Sequence, residues 1–559
     1  MLTENRTAGN GPLVLPSRSV AILVELLAIA AAVASGHLVA ALVAPASSPF
    51  VAVGDAVVRL SPQPVVEFAK SAFGTADKPV LLTGIGVLLV LLGAVAGLAA
   101  RRRAVVGTAA VAVLGLLAVA AVLTGPVPTA TDLAGPVVAL VVGVAVQRGL
   151  DGLARRPGTT RTGGGGAGDG ARDGDGVPRR TVLAGASAAV AAGTLVVGGT
   201  GLALSSAGSG IAASRAALTG RLAAATLAET ARPVPASAAF PQLGTVPFVT
   251  PNADFYRIDV ALTIPAVRAE DWSLRVHGRV GRELVLTVDD LLRRPLVQRT
   301  ITMTCVSNTV GGNLVSTADF VGVELAPLLL EAGVDPAADQ IVSTSRDGWT
   351  AGTPTATVLE PGRGALLALG MNGEALPVEH GFPVRMVVPG LYGYVSATKW
   401  LADIELTTFA ERSVYWRDRG WAERAPIKTQ CRIDAPVGFS RLPAGRVQVA
   451  GVAWAQPVGI TAVEVRADDG PWVRAELATE VNPNTWRMWG AELDLSPGSH
   501  TLTARATDRR GLVQTDVRVD PIPDGATGWP STIVTGDCFK IGVFGPTRRA
   551  EVRRDGHGQ

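Results

Sequence analysis

The stretch MTCVSNTVGG, residues 303–312, places Cys305 directly after a β-branched run and before small polar residues and two glycines. The chain has only three cysteines in 559 residues. A disulfide needs a partner, a zinc site needs several ligands, and a catalytic thiol needs a nearby base. Three cysteines exclude a disulfide-scaffolded fold, a multi-cysteine zinc finger and an iron–sulfur cluster. Five scattered histidines leave little for a polyhistidine metal site.

The composition divides the chain into two halves. Residues 1–210 are rich in Ala, Val, Leu and Gly, whereas charge and tryptophan concentrate after about residue 245. At ~150 residues per domain, this length predicts roughly three to four domains. A net charge of +3 is too small to indicate nucleic-acid binding, and the arginines form short clusters beside apolar runs. This pattern is typical of membrane proteins.

Five apolar runs predict membrane spans, since about 20 residues cross a ~30 Å hydrocarbon layer. The runs lie at about 20–44, 79–100, 104–124, 133–147 and 182–204. Arginines cluster between the second and third runs and between the fourth and fifth, whereas the other loops are poor in basic residues. The positive-inside rule therefore places the N-terminus in the cytoplasm and everything after residue 205 outside. We divide this half into a four-span region (1–150), a cytoplasmic Gly/Arg-rich linker (151–180) and a fifth span (181–205).

Polar residues within the spans give little sign of a second function. Glu25 and His37 are candidates by default, because ionisable groups inside a membrane are costly. Glu25, however, lies close enough to the helix start to snorkel, and a lone His37 cannot supply both axial ligands of a haem. The spans are therefore interpreted as an anchor. Arg179 and Arg180, which precede a mild apolar stretch, resemble an internal twin-arginine export signal; the alternative is that they only fix topology.

The outer half begins with a tether (206–245) and continues as a mixed α+β region (246–425). RIDVALTIP (257–265) and WSLRVHGRV (272–280) alternate as strands do. Thr287, with Asp290 three residues later, predicts a capped helical turn, and a short helix is expected to end at Gly333. From 426 to 522 nearly every segment alternates at period two, which predicts an immunoglobulin-like β-sandwich. Residues 523–559 are predicted to be a polar, disordered tail.

Four segments of the outer half together carry a resemblance. They are PNADFYRID (251–259), TCVSNTVGG around Cys305, SRDGWTAGTP (345–354) and LPVEHGFPVRMVVPGLYGYVSATKW (376–400). Their order resembles the sulfite-oxidase family of molybdenum–molybdopterin oxidoreductases, over about residues 246–520. The resemblance implies that Cys305 is the one protein ligand of molybdenum, beside two dithiolene sulfurs of the pterin. A soft thiolate suits such a metal.

The resemblance also implies which residues bind the cofactor. An arginine fork grips a terminal phosphate well, and amide and aromatic edges suit a polar bicycle. The predicted cofactor-binding residues are Asn252, Phe255, Tyr256, Cys305, Asp347, His380, Arg385, Ser396, Thr398 and Lys399.

The departures from the family pattern bear on the substrate. Thr309 and Val310 follow Asn308 where an arginine is expected, and Thr250 and Pro251 stand where another is expected. Trp349 occupies the position of the family's active-site tyrosine, so the predicted catalytic residues are Cys305 and Trp349. A site for a dianion should keep its cationic clamp. The sequence therefore argues against sulfite and leaves a sulfoxide or another oxo-transfer substrate open.

These inferences predict a multi-domain protein: an α-helical membrane bundle of about five spans, an α+β sulfite-oxidase-like molybdopterin domain, and an immunoglobulin-like sandwich. The expected function is two-electron oxo transfer by a multi-pass cell-membrane enzyme, with its catalytic domain on the extracytoplasmic side. Since the chain has no CxxCH and no histidine pair, electrons need a separate partner. A homodimer through the sandwich is consistent with the family. A non-catalytic binding module with a vestigial pterin site is the alternative, and pairing of Cys431 with Cys538 stays open.

Overall fold

The computed structural model describes residues 15–43, 47–62, 65, 68–69, 72–73, 76–125, 130–156, 179–207, 210–260 and 264–537. The fold is therefore a long helical region followed by two strand-rich units.

The N-terminal helices account for the apolar half of the sequence. Within the described residues, all of them except the second are long and apolar enough to cross a membrane. The fourth apolar run, which looked short, extends as a helix through Arg155. The helices are α1 (Arg18–Val43), α2 (Pro49–Leu60), α3 (Asp77–Ala100), α4 (Ala104–Leu123), α5 (Ala134–Arg155) and α6 (Arg179–Ala207).

Glu25 lies in the centre of the bundle, and the prediction that it snorkels is wrong. Its side chain is only 1% exposed. Gln147 Nε2 donates to Glu25 Oε1 at 3.2 Å, and Thr108 Oγ1 donates to Gln147 Oε1 at 2.7 Å. A Cβ at Gly107 would collide with the Glu25 carboxyl, so the glycine leaves the space that the carboxyl fills. Hydrogen bonds from neighbouring helices offset the free-energy cost of burying the Glu25 carboxyl.

The tether of residues 206–245 contains helix α7 (Ile211–Ala224), which is docked on the α+β unit. Ser214 Oγ donates to Glu270 Oε2 at 2.6 Å, and Arg215 forms an ion pair with Glu374 at 2.8 Å. The helix therefore fixes where the chain enters this unit.

The α+β unit contains two sheets of orders β1-β4-β5-β8-β10 (with β9 on β8) and β3-β2-β11-β6-β7. Its strands are β1 (Leu227–Glu229), β2 (Ser273–Gly278), β3 (Leu284–Thr287), β4 (Leu296–Thr304), β5 (Val315–Glu324), β6 (Gln340–Ser345), β7 (Thr350–Pro354), β8 (Leu366–Met371), β9 (Glu374–Ala375), β10 (Arg385–Val387) and β11 (Leu401–Thr407). Its helices are α8 (Val288–Leu292), α9 (Leu325–Ala332), α10 (Thr355–Leu359) and α11 (Gly393–Ser396).

Local sequence signals predicted parts of this unit correctly. The capping box of Thr287 and Asp290 starts α8, and Gly333 ends α9 at φ 71°. The strand predicted for WSLRVHGRV is β2. The strand predicted for RIDVALTIP is wrong for 257–260 and 264–265, which form no regular element; residues 261–263 lie outside the described residues. The apolar side chains of this segment line a cavity, whereas an alternating pattern normally implies pairing within a sheet.

The C-terminal unit contains two further sheets, of orders β12-β14-β18-β17 and β13-β20-β19-β15-β16. Val449 and Trp489 from the first sheet share a core with Val463, Leu502 and Val534 from the second, so the sheets pack face to face. The strands are β12 (Gln430–Ala435), β13 (Arg441–Pro443), β14 (Gly445–Trp454), β15 (Ile460–Ala467), β16 (Val473–Arg474), β17 (Glu476–Leu477), β18 (Arg487–Leu495), β19 (Gly498–Asp508) and β20 (Ser531–Asp537).

Strand β20 corrects the predicted boundary at residue 522. It pairs with β19 and β13, so residues 531–537 belong to the sheet and not to a disordered tail. The polar composition of 523–530 hid a strand whose apolar content is Ile533 and Val534. Residues 538–559, including Cys538, lie outside the described residues.

The two strand-rich units pack together through a shared hydrophobic core. Trp486 is buried in the core of the α+β unit, where its Nε1 donates to the Phe248 carbonyl at 3.0 Å. The backbone of Thr302 on β4 donates to the Asn484 carbonyl at 2.9 Å. The Thr302 carbonyl accepts from Gln456 Nε2 at 3.1 Å. The C-terminal unit therefore braces the strand that leads to Cys305.

Candidate functional site

Cys305 lies in the wall of a cavity in the α+β unit. The thiol follows the last residue of β4, and the opposite walls come from the segments 255–260, 345–349 and 380–400. These are the four segments that carry the family resemblance. Most of the lining side chains are aliphatic or aromatic, among them Trp349, Trp416 and Trp421. An apolar lining with a few convergent polar groups is typical of cofactor and small-molecule sites.

The loop after Cys305 is held by backbone hydrogen bonds and by one amide side chain. Cys305 N donates to the Leu314 carbonyl at 2.9 Å, and Asn308 N donates to the Cys305 carbonyl at 3.1 Å. Asn308 Oδ1 accepts from Leu314 N at 2.9 Å. A Cβ on Gly312 would lie 2.6 Å from Asn308 Oδ1, so glycine is required there. The loop therefore presents the thiol in one orientation.

Burial raises the pKa of the Cys305 thiol, and hydrogen bonds from Ser307 oppose this rise only in part. The protein alone therefore favours the neutral thiol, and a nearby metal cation would favour the thiolate. Among the described residues no group of three His, Cys, Asp or Glu side chains could hold a metal ion. A metal beside Cys305 consequently needs ligands beyond those that the described residues supply.

Arg385 is a buried cation on β10, next to His380, and it reaches into the cavity. Its Nη1 donates to the His380 carbonyl at 3.1 Å, and its Nε has no hydrogen-bond partner. No described carboxylate lies within ion-pair distance of it. Burial lowers the pKa of Arg385 to about 10, because desolvation disfavours the charged form. An anionic ligand is the missing partner.

Aromatic rings and His380 form the wall beside Arg385. The rings of Phe255 and Tyr256 stack at 5.4 Å, and the His380 ring meets Phe255 edge to face at 5.3 Å. His380 Nε2 donates to the Asn252 carbonyl at 3.0 Å. Burial and the charge of Arg385 lower the pKa of His380, so its imidazole is neutral. Burial also raises the pKa of Tyr256, which keeps its phenol protonated as a hydrogen-bond donor.

Lys399 lies at the rim of the cavity and is bound to a carboxylate. Its Nζ contacts Asp259 Oδ1 and donates to the Glu379 carbonyl at 3.2 Å. Arg257 Nε lies 2.8 Å from the other oxygen of Asp259. Burial lowers the pKa of Lys399, whereas the contact with Asp259 favours the charged ammonium. One carboxylate thus engages two cations at the rim.

Trp349 and Asp347 form the wall that follows β6. Trp349 N donates to Asp347 Oδ1 at 3.1 Å, and the indole Nε1 is buried without a partner. Burial raises the pKa of Asp347, while the hydrogen bond from Trp349 N opposes the rise. An uncommitted N–H donor and a protonatable carboxyl therefore face the same space as the Cys305 thiol.

The cavity brings together eight of the predicted site residues: Phe255, Tyr256, Cys305, Asp347, Trp349, His380, Arg385 and Lys399. Asn252, Ser396 and Thr398 lie behind the wall. The Asn252 amide binds Glu374 and Asn372, the Ser396 hydroxyl donates to two backbone carbonyls, and Thr398 Oγ1 lies 2.6 Å from Ser343 Oγ. In this structure these three side chains support the wall instead of facing a ligand.

Sequence reasoning missed other lining residues. Asp259 lies inside the PNADFYRID segment but was not singled out. Trp416 and Trp421 belong to SVYWRDRGW (413–421), which falls after the segments that carry the resemblance. Three large aromatic residues within seven positions were a usable signal, since such clusters are enriched at binding sites.

The residues present fit a molybdopterin-type cofactor. The cavity offers one soft thiol, a buried arginine without a carboxylate, and two buried N–H groups without partners, Arg385 Nε and Trp349 Nε1. Buried polar groups in native proteins are almost always hydrogen-bonded, so these donors indicate a ligand rich in acceptors. An organic anion with acceptor atoms, bound beside the thiol, satisfies all of them.

Comparison with known proteins agrees with this fit. The profile of the oxidoreductase molybdopterin binding domain matches residues 261–416. Mitochondrial sulfite oxidase from Homo sapiens is 29% identical over 330 residues, which cover 50% of this chain and 60% of that protein. The chain thus spans about 60% of the length of the mammalian sulfite oxidases that it matches. The crystal structure of the sulfane dehydrogenase SoxCD from Paracoccus pantotrophus aligns with a TM-score of 0.46 at 22% identity, over 55% of this chain and 88% of that one.

An uncharacterised oxidoreductase from Bacillus subtilis is 33% identical over 155 residues, which cover 27% of this chain and 73% of that protein. This match spans most of the relative. The family profile, at residues 261–416, includes the segment that holds Cys305. The expectation of an enzyme and of its cofactor is confirmed: the chain belongs to the family of oxidoreductases with a molybdopterin-binding domain, whose cofactor is molybdenum–molybdopterin.

Proposed function

We propose that the protein is a membrane-anchored extracytoplasmic oxidoreductase that catalyses two-electron oxo transfer on an uncharged substrate. The observation that carries this proposal is the cavity around Cys305, which combines a single soft ligand with an apolar, aromatic lining. Bound there, the molybdenum centre supplies the two-electron oxygen-atom transfer.

The side chains have separate roles in this proposal. Cys305 provides the protein's ligand to the metal. Arg385 compensates the negative charge of the cofactor, and neutral His380, held by the Asn252 carbonyl, packs beside it. Trp349 Nε1 is placed to donate to an oxygen in the cavity, and Asp347 can hold or release a proton there. Of the predicted cofactor-binding residues, Asn252, Ser396 and Thr398 are proposed to act through the wall that they support.

The charges of the cavity argue against sulfite. Arg385 and Lys399 line the cavity, but so do the carboxyl groups of Asp259 and Asp347. Asp259 engages Lys399 directly, and Arg385 is assigned to the cofactor. A dianion would therefore meet two carboxyl groups and no uncommitted cationic clamp, which disfavours its binding. An uncharged oxo group, such as that of a sulfoxide, meets the indole N–H and a proton source.

The membrane placement rests on charge and on one contact. The positive-inside rule puts residues 45–78 and everything after 205 on the same, extracytoplasmic side. Lys78, in the first turn of α3, donates to the Asp259 carbonyl at 3.2 Å. Two segments that the charge pattern assigns to one side are thus in contact. Sided proteolysis of membrane vesicles tests this placement: the domain after 205 should be cleaved only from outside, and the linker of 157–178 only from the cytoplasm.

Two further parts of the proposal concern assembly. Arg179 and Arg180 stand at the start of α6, where a twin-arginine signal would deliver a domain that folded around its cofactor before export. Electrons are exchanged with a separate protein or small carrier, since the sequence has no haem-attachment motif. Whether the C-terminal unit also forms a homodimer is a matter for light scattering in detergent.

Substrate specificity is tested with molybdenum-loaded, detergent-purified protein. Reduction of a methyl alkyl sulfoxide by reduced methyl viologen should exceed both nitrate reduction and sulfite oxidation with ferricyanide, and Cys305→Ser should abolish it. Faster turnover of sulfite than of any neutral oxo compound would contradict the proposal. A folded, metal-free protein without any activity would favour the alternative of a binding module with a vestigial site.

A further inference from the structure

The membrane helices and the cofactor cavity meet at Asp259. This residue lines the cavity, and its carboxylate engages Lys399 and Arg257. Its backbone carbonyl accepts from Lys78, which belongs to α3. The rim of the cavity is therefore attached directly to the first turn of a helix that is long and apolar enough to cross a membrane.

Lys78 marks the edge of the membrane on this helix. It is the second residue of α3, and from Pro79 the helix carries no further charged side chain before its end at Ala100. Large apolar side chains along the helix, such as Val87, Leu91 and Val95, are exposed, as lipid-facing residues are. Lysines at span ends extend their ammonium groups to the interface. Because Lys78 Nζ lies 3.2 Å from the Asp259 carbonyl, the rim lies within the reach of one lysine side chain from the hydrocarbon boundary.

The mouth of the cavity has apolar residues on both sides of Asp259 in the irregular segment 257–260. Ile258 is 48% exposed and also lines the cavity, so it stands where the cavity meets its surroundings. Val260 lines the cavity on the other side of Asp259, and Trp349, Trp416 and Trp421 continue the lining. Tryptophans and exposed aliphatic residues beside a lysine are the composition of a membrane interface.

We propose that the cavity opens at the extracytoplasmic membrane surface and takes an amphipathic substrate, in which an uncharged oxo-bearing head group is carried on a hydrocarbon tail. The head group reaches the Cys305 side of the cavity while the tail stays with Ile258 and the lipid. This inference rests on the oxo-transfer function proposed above and names its substrate class.

The position of the mouth is measured without turnover. The full chain, with Cys538→Ser to remove one labelling site, is loaded with cofactor, placed in lipid nanodiscs and spin-labelled at Ile258→Cys. Val285→Cys on β3, a site 68% exposed, is the matched control. Oxygen, which concentrates in lipid, should relax the label at 258 several-fold more strongly than chelated nickel does, whereas nickel should dominate at 285. Dominance of nickel at both sites would overturn the inference.

The substrate class is tested with two sulfoxides that share one head group, dimethyl sulfoxide and decyl methyl sulfoxide. Reduction breaks the S–O bond, consumes two electrons from reduced methyl viologen and two protons, and yields the sulfide and water. In nanodiscs the KM of the decyl compound should be about tenfold lower or more, because buried methylenes drive membrane partitioning. Equal KM values would overturn the inference.

Lys78 provides the matched variant. Lys78→Met removes the hydrogen bond between α3 and the rim. It should raise the KM of the decyl compound about threefold or more and leave the KM of the short compound unchanged. The loss of one charged hydrogen bond can produce a change of this size. Lys428→Met, which removes a lysine paired with Asp524 in the C-terminal unit, should change neither. An equal effect of Lys78→Met on the KM of both compounds would contradict the proposed role of Lys78 in holding the rim at the membrane surface. If neither sulfoxide is reduced, the oxo-transfer proposal fails, and the spin-label result still decides where the mouth lies.

Discussion

At the scale of single residues, Arg385 carries a buried charge for which the described part of the chain supplies no carboxylate partner. A buried, uncompensated cation costs stability, and that cost is recovered only when an anionic ligand binds. Most of the residues around it were predictable because they lie in contiguous motifs. Asp259 was not, because its role depends on Lys399 and Lys78, which are 140 and 181 positions away along the chain.

Arg385→Met should therefore act in opposite directions with and without cofactor. In protein made by a host that cannot synthesise the pterin, removal of the buried charge should leave the midpoint of thermal unfolding unchanged or raised, since hydrophobic replacement of buried ions is often neutral or stabilising. In protein grown with molybdate, bound pterin should fall by an order of magnitude or more, because a charge-assisted contact is worth about 1.5–3 kcal/mol. Arg363→Met, whose arginine pairs with Glu360, is the control and should retain pterin. A lower unfolding midpoint in the cofactor-free variant would show that Arg385 is structural.

At the scale of elements, period-two alternation correctly predicted most strands of the C-terminal unit. It failed for 257–260, where the apolar residues face a cavity, and for β20, where a short strand follows a polar stretch. Asp468 stands in the turn after β15 at φ 52°, and its carboxylate accepts from Thr501 N at 2.8 Å and lies 2.7 Å from His500 Nδ1. This carboxylate joins the turn to β19.

The pair of His500 and Asp468 predicts a pH dependence of stability. Hydrogen bonds to Asp468 and to the Ser496 carbonyl raise the pKa of His500, and hydrogen bonds from Thr501 and His500 lower the pKa of Asp468. Because the pKa of His500 is raised in the folded state, its contribution to the free energy of unfolding is complete below the unfolded pKa of about 6.5. This contribution is lost as the pH rises through the folded pKa. Because the pKa of Asp468 is lowered in the folded state, its contribution to the free energy of unfolding is complete above the unfolded pKa of about 3.9. This contribution is lost as the pH falls through the folded pKa.

Stabilisation by this pair should therefore be greatest between about pH 4 and pH 6.5. His500→Gln should destabilise the full chain at about pH 6, and less at about pH 9, by no more than ~1 kcal/mol, because Asp468 is half exposed and screened. Thermal unfolding followed by circular dichroism at the two pH values measures this difference. Asp469→Asn, a change at the fully exposed neighbouring residue, is the control. A larger loss for His500→Gln at the higher pH would reverse the assigned sign.

At the scale of the whole molecule, the sequence indicated three regions in the correct order but not how they join. Hydrophobic runs and arginine clusters are local signals, whereas the contact between Lys78 and Asp259 and the burial of Trp486 join residues hundreds of positions apart. The C-terminal unit, for which the sequence predicted a sandwich, shares a hydrophobic core with the α+β unit. Its Asn484 and Gln456 hold the strand that ends at Cys305.

Trp486→Ala tests that fusion. Removing a buried tryptophan should cost about 3–5 kcal/mol, and the loss should be accompanied by reduced cofactor content, because β4 loses its brace. Trp472→Ala is the matched control: that ring packs against Trp529 and two arginines within the C-terminal unit. Thermal unfolding and molybdenum content are measured on both variants. Loss of stability without any loss of metal in Trp486→Ala would show that the brace does not reach the site.

The central claim is that Cys305 is the protein's ligand to a molybdenum–molybdopterin cofactor. The most direct measurement is molybdenum by elemental analysis together with oxidised-pterin fluorescence. It is made on wild type, Cys305→Ser and Cys431→Ala, purified in detergent from a cofactor-competent host grown with molybdate. Cys431 is a buried thiol that lies 3.2 Å from Gln514 Oε1, away from the cavity, and is the matched control. Wild type and Cys431→Ala should contain near-stoichiometric molybdenum, whereas Cys305→Ser should lose the metal and keep pterin through Arg385. Folded wild-type protein with neither metal nor pterin, or full molybdenum in Cys305→Ser, would contradict the claim.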